Sequence, residues 1–117
     1  MSNLLSDNTV FELLIKLQLY HSDKGRHGFI SDNYRPKIYF SIDNQYLQSN
    51  SSDCVFQLIN QNKIEPGQSA IVLVKLLRFR LLIGLINEST NFIIKEGNRA
   101  VGEGKVFRLI GEKVGLY

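Results

Sequence analysis

Apolar and polar residues alternate along most of this chain. Phe11, Leu13, Ile15, Leu17 and Leu19 fall on one face and Glu12, Leu14, Lys16, Gln18 and Tyr20 on the other, so residues 11–20 read as a half-buried strand. Leu and Lys are good helix formers, but an unbroken two-residue period outweighs that weak propensity. The pattern returns at 37–42, with Ile38, Phe40 and Ile42 inward and Lys37, Tyr39 and Ser41 outward. Residues 21–35, rich in Ser, Asp, Gly and Asn, read as a long exposed connection with a short pairing around Phe29. Further strands are expected at 54–59, 69–77, 92–95 and 105–110. Pro66-Gly67, where Pro presets one turn dihedral and Gly accepts a positive φ, marks a type II turn before the fourth strand. About six strands and no convincing helix make an all-β barrel or sandwich. Residues 10–112 are expected to form this single domain, with 1–9 and 113–117 as loose ends.

Size and composition narrow the chemistry. A chain of 117 residues can bury about two thirds of its unfolded surface without staples. Its single cysteine, Cys54, excludes an intramolecular disulfide and is expected to fill a small buried apolar position. With only His21 and His27 beside it, no Cys/His zinc site is expected. The longest apolar run, 81–86, is too short to span a bilayer as a helix, and no signal peptide pattern opens the chain; a reducing cytoplasm is the expected location. The net charge of +3 is compatible with a polyanion partner but weaker than that of a dedicated nucleic-acid binder.

Catalytic patterns fail on inspection. Gly102-Glu103-Gly104-Lys105 invites a phosphate-loop reading, but Arg99 stands where the first Walker glycine belongs and Val106 where Ser or Thr belongs. A dinucleotide fingerprint would need glycine in place of Phe107. Acidic residues are scattered singly, and no Ser, Cys or His combination marks a nucleophile. No enzymatic activity and no cofactor are expected. More suggestive are Lys24, Arg26, His27, Arg35 and Lys37, interleaved with Phe29, Tyr34 and Tyr39 as on a surface that meets phosphates and stacks rings. A solvated loop balanced by Asp23 and Asp32 is the competing explanation.

Five phrases, read in order, carry a resemblance: Phe11-Glu12 to Leu19; Lys24-Gly25-Arg26-His27-Gly28; Tyr34-Arg35-Pro36-Lys37-Ile38-Tyr39-Phe40; Ile64-Glu65-Pro66-Gly67-Gln68; and Phe92 to Gly104. Together they resemble the third, C-terminal domain of translation elongation factor Tu, over roughly residues 11–110. The resemblance implies a closed six-stranded antiparallel β-barrel. It also implies a surface that touches the T-stem backbone of aminoacyl-tRNA, onto which Arg26, His27, Glu96 and Gly97 map. Lys37 replaces the family's usual Gln, and Arg78 stands near its basic position after the fourth strand. Loop 44–53 departs from the family, and segment 78–91 is longer and more apolar than its pattern.

The family's GTPase domain and second barrel do not fit in this chain, so what the resemblance implies is a non-enzymatic binding module of translation. Its expected partners are a tRNA or RNA backbone, held weakly, or a protein that recognises the full factor. A decoy or immunity protein that neutralises a toxin is the alternative. Two readings of 79–86 follow. Phe79, Leu82 and Ile86 form an outward docking patch while Leu81, Ile83 and Leu85 point inward, or the segment completes the core. The glycines 97 and 102 are expected at tight bends, and Gly104 where the last strand starts close to a neighbour.

The failed phosphate-loop matches make one expectation direct. Calorimetry at micromolar protein should detect no GTP binding; stoichiometric binding would show that nucleotide machinery has been overlooked.

Overall fold

The computed structural model describes residues 9–114. Six strands follow in chain order: β1 (Thr9–Leu19), β2 (Lys37–Phe40), β3 (Ser51–Leu58), β4 (Ser69–Leu76), β5 (Asn91–Glu96) and β6 (Arg99–Val114). They close into a barrel in the order β1-β4-β3-β2-β5-β6, with every neighbouring pair antiparallel. Among the described residues, no helix is long and apolar enough to cross a membrane.

Alternation sets the inside. Phe11, Leu13, Ile15, Leu17 and Leu19 are all buried, and they meet Ile38, Phe40, Phe56, Val72, Val74, Leu76, Phe92 and Ile94 in one core. Cys54 lies in it too, and burial pushes its thiol up. Tyr39 does point outward, as the alternation requires, but it is covered: its hydroxyl donates to Gln48 Oε1 at 3.1 Å and Lys95 Nζ lies 4.8 Å from its ring centroid.

Connections alternate between two rims. Loop 20–36, loop 59–68 and the turn at 97–98 sit at the rim where β1 ends; loops 41–50 and 77–90 sit at the rim where it begins. In loop 20–36 the expected pairing falls one residue past Phe29, as a bridge between Ile30 and Ile64. The Pro66-Gly67 turn forms as expected: Gly67 has φ 89 and Gln68 N–H donates to Glu65 O at 3.0 Å.

Three expectations are corrected. Segment 79–86 is not extended. Leu82 and Ile83 N–H both donate to Phe79 O, and Leu85 and Ile86 N–H to Leu82 O, so the chain makes successive helical turns and burial recurs every three or four residues. Phe79, Leu82 and Ile86 are therefore core, at 5% exposure or less, and cannot be a docking patch; Leu81 and Leu85, expected inward, are outside. The second correction concerns the ends: Thr9 pairs with Val114 and Val10 with Lys113, so these residues belong to the sheet, while the rest of the expected loose ends lies outside the described residues.

The third correction is glycine's role in β6. Gly97 does turn the chain, with φ 61, but Gly102 lies within the strand opposite Leu19. There a Cβ would come 3.1 Å from Gln18 O, and at Gly104 it would collide with Lys16 O. Both glycines admit a close approach of β6 to β1.

Truncating the core at Leu17→Ala should cost about 2 to 5 kcal/mol and at Phe40→Ala about 3 to 5 kcal/mol in denaturant unfolding. Gly104→Ala should be far more damaging than Gly28→Ala, where nothing lies within 4 Å of the added carbon. Leu82→Asp should unfold the chain by burying an unpaired charge. A folded Leu82→Asp variant of near-native stability would contradict the packing of segment 79–86.

Candidate nucleic-acid interface

The first half of loop 20–36 folds back over the start of β6. Tyr20 N–H donates to Val101 O, and Arg99 Nη1 donates to Gly25 O at 3.0 Å. Gly25 fits because a Cβ there would press on Tyr20 and on the Val101 backbone. This latch delivers Arg26 to the turn that joins β5 to β6. The loop's second half runs along β3, with Asn33 N–H donating to Phe56 O and Phe56 N–H to Tyr34 O, and so seats Tyr34 edge-on against Phe56.

Arg26, Tyr34 and Glu96, far apart in sequence, meet there. Tyr34 Oη donates to Glu96 Oε2, and the Arg26 guanidinium lies 5.0 Å from the Tyr34 ring centroid. Arg26 Nε is buried 3.2 Å from the same carboxylate oxygen, but its N–H does not aim at it, so charge attraction rather than a directed hydrogen bond joins them. Burial first, then the hydrogen bond to Glu96, pushes the Tyr34 hydroxyl far above its ordinary range. On the same rim, burial and a hydrogen bond to Glu103 push Tyr20 up to about 12.

The cluster explains which charges face outward. Glu96, which would repel phosphate, is held by Arg26 and Tyr34 and is thereby screened. His27 is exposed beside Arg26, and Gly97 follows Glu96 at the exposed turn. Lys37 stands directly across the β2–β5 ladder from Lys95, with Asp53 on its other side. Like charges opposite one another are unfavourable unless an anion joins them. Arg26, His27, Lys37, Glu96 and Gly97 thus gather at one rim and the wall below it. Arg78 does not join them: it follows β4 at the opposite rim, where its backbone N–H donates to Ser52 Oγ.

Lys95 was missing from the sequence-level set. Period two marks it as outward, but only the β2–β5 register puts it opposite Lys37. Tyr34 was read as a ring for stacking; it is instead the packed floor beneath Arg26. No family model matches the chain.

Both shifted tyrosines predict a pH dependence. Each has an ordinary pKa of 10.0, so in the unfolded chain both release protons as pH rises through 10, while the native state keeps them. Stability should fall above pH 10, because the native state then binds more protons than the unfolded one. In an ultraviolet tyrosinate titration, Tyr20 should ionise near pH 12 and Tyr34 only on unfolding. Ionisation of Tyr34 near pH 10 in the folded protein would contradict the Arg26–Tyr34–Glu96 packing; Tyr34→Phe identifies its signal.

Proposed function

We propose that this protein is a non-enzymatic binding module of translation that holds an RNA backbone weakly through the rim built by Arg26, His27, Lys37, Lys95 and the Glu96-Gly97 turn. One observation carries the reading: loop 20–36 and the β5–β6 turn, distant in sequence, converge so that the Glu96 carboxylate is held by Arg26 and Tyr34, beside a cross-strand pair of lysines, Lys37 and Lys95. The resemblance of five ordered phrases to the third domain of elongation factor Tu supports it, and the closed six-stranded barrel is consistent with that domain. Phe79, Leu82 and Ile86, the residues expected to form a patch for a protein partner, are core, although Leu81 and Leu85 of the same segment are exposed.

Few phosphate contacts set the strength. Three or four cations place the affinity of this barrel near the nonspecific range of about 10⁻⁴ to 10⁻⁶ M, falling with salt. Recognition is of backbone shape and charge, largely indifferent to base sequence.

Fluorescence anisotropy of a labelled RNA hairpin, with salt varied between about 50 and 200 mM, tests this. Lys37→Ala or Lys95→Ala should each lower the salt slope by about one unit. Arg26→Ala should weaken binding more than either, because it also frees the Glu96 carboxylate; adding Glu96→Gln should recover part of the loss. Arg26→Ala combined with Lys37→Ala should remove binding. Affinity that ignores salt, or that survives this double substitution, would overturn the proposal.

A further inference from the structure

A second surface lies on the barrel wall where β6 runs beside β1. Two bulges interrupt this ladder. Leu14 faces Arg108 and Ile15 faces Val106, so Phe107 has no partner; Glu12 faces Gly111 and Leu13 faces Leu109, so Ile110 has none. These two unpaired residues are also exposed, Phe107 at 45% and Ile110 at 44%. A bulge re-aims a side chain, and here both bulges turn an apolar one outward. A barrel core that needed these residues would not expel them.

The wall is basic around the Phe107 bulge and partly aliphatic, while Glu12, on the outward face of β1, stands beside the Ile110 bulge. Lys16 and Lys105 are directly opposite across β1 and β6, and Arg108 stands between the two bulges. Among the described residues, none of these three cations has a carboxylate within 4.0 Å. Half-buried Leu14 and Leu73 pair across β1 and β4, and a shallow depression of about 380 Å³ beside Lys16 is bounded by Gln18, Ser69 and Ile71. Exposed apolar side chains ringed by unpaired cations define a surface that gains most by meeting apolar groups and carboxylates together.

We propose that this β1–β6 wall docks an acidic, amphipathic protein segment, whose apolar side chains cover Phe107 and Ile110 while its carboxylates meet Lys16, Lys105 and Arg108. Self-pairing through the wall would bring these cations against their own copies. An RNA strand suits it less well, because Lys16 Nζ already lies 5.0 Å from the Phe107 ring centroid and the other exposed contacts are aliphatic. The proposal is independent of the RNA reading, since the wall shares no residue with the rim.

The probe is a synthetic amphipathic helix of Glu, Leu and Ala, with a version carrying Gln for every Glu and a uridine oligonucleotide alongside. On titration into isotopically labelled protein, the acidic peptide should shift amides at Lys16 and from Lys105 to Ile110 and leave the Arg26 loop unmoved. Phe107→Ser with Ile110→Ser should weaken the peptide at least about tenfold while preserving the thermal midpoint, and the Gln version should bind at least about tenfold more weakly. Lys105→Glu with Arg108→Glu should do the same, and serves if the serine variant folds poorly. Failure of the acidic peptide to bind, equal binding of the Gln version, unchanged affinity in these variants, shifts confined to the rim, or tighter binding of the oligonucleotide on this wall would each overturn the proposal.

Discussion

Everything distinctive about this barrel depends on how closely β6 approaches β1. At Gly104 the Lys16 carbonyl occupies the space a Cβ would take, and at Gly102 the Gln18 carbonyl nearly does. That contact closes the sheet into a barrel. It also fixes where the start of β6 lies relative to the end of β1, and therefore where Arg99 can hold Gly25 and where loop 20–36 must run. Beyond the two glycines, side chains return and the ladder cannot remain as tight. The bulges at Phe107 and Ile110 follow within a few residues.

One closure thus organises two surfaces of different electrical character. At the rim, charge is mostly compensated: Arg26 and Tyr34 surround Glu96, and the free cations stand around a neutralised centre. On the β1–β6 wall, among the described residues, Lys16, Lys105 and Arg108 have no carboxylate within 4.0 Å, and Lys16 lies over the Phe107 ring. The modest net charge of +3 hides this difference, because formal charge counts a paired arginine and an unpaired lysine alike.

Much of the fold was legible because period two is a strong signal wherever one face is buried. The inward faces of β1 and β2 follow from it, and the Pro66-Gly67 turn follows from the dihedral preferences of those two residues. The reading failed where that period stops. Residues 79–86 are apolar at nearly every position, so sequence cannot distinguish a strand from helical turns: the reading that the segment completes the core holds for Phe79, Leu82 and Ile86, while Leu81 and Leu85, expected inward in the docking reading, are exposed. The extent of β6 was underestimated because its glycines resemble turn residues until Gly102 and Gly104 are seen to face carbonyls. At the site, sequence supplied Arg26, His27, Lys37, Glu96 and Gly97, but the partnership of Lys37 with Lys95 and the burial of Tyr34 depend on cross-strand register and tertiary packing.

The central claim is that loop 20–36 and the β5–β6 turn act as one RNA-facing rim. Amide-resolved nuclear magnetic resonance, with an RNA hairpin titrated into the labelled protein, tests it most directly. Residues 25–28, Lys37 and 95–98 should shift together along a single binding curve, while Arg78 and the Phe107 bulge remain unmoved. Shifts centred on the Arg78 rim or the β1–β6 wall, or separate curves for the loop and the turn, would contradict the account.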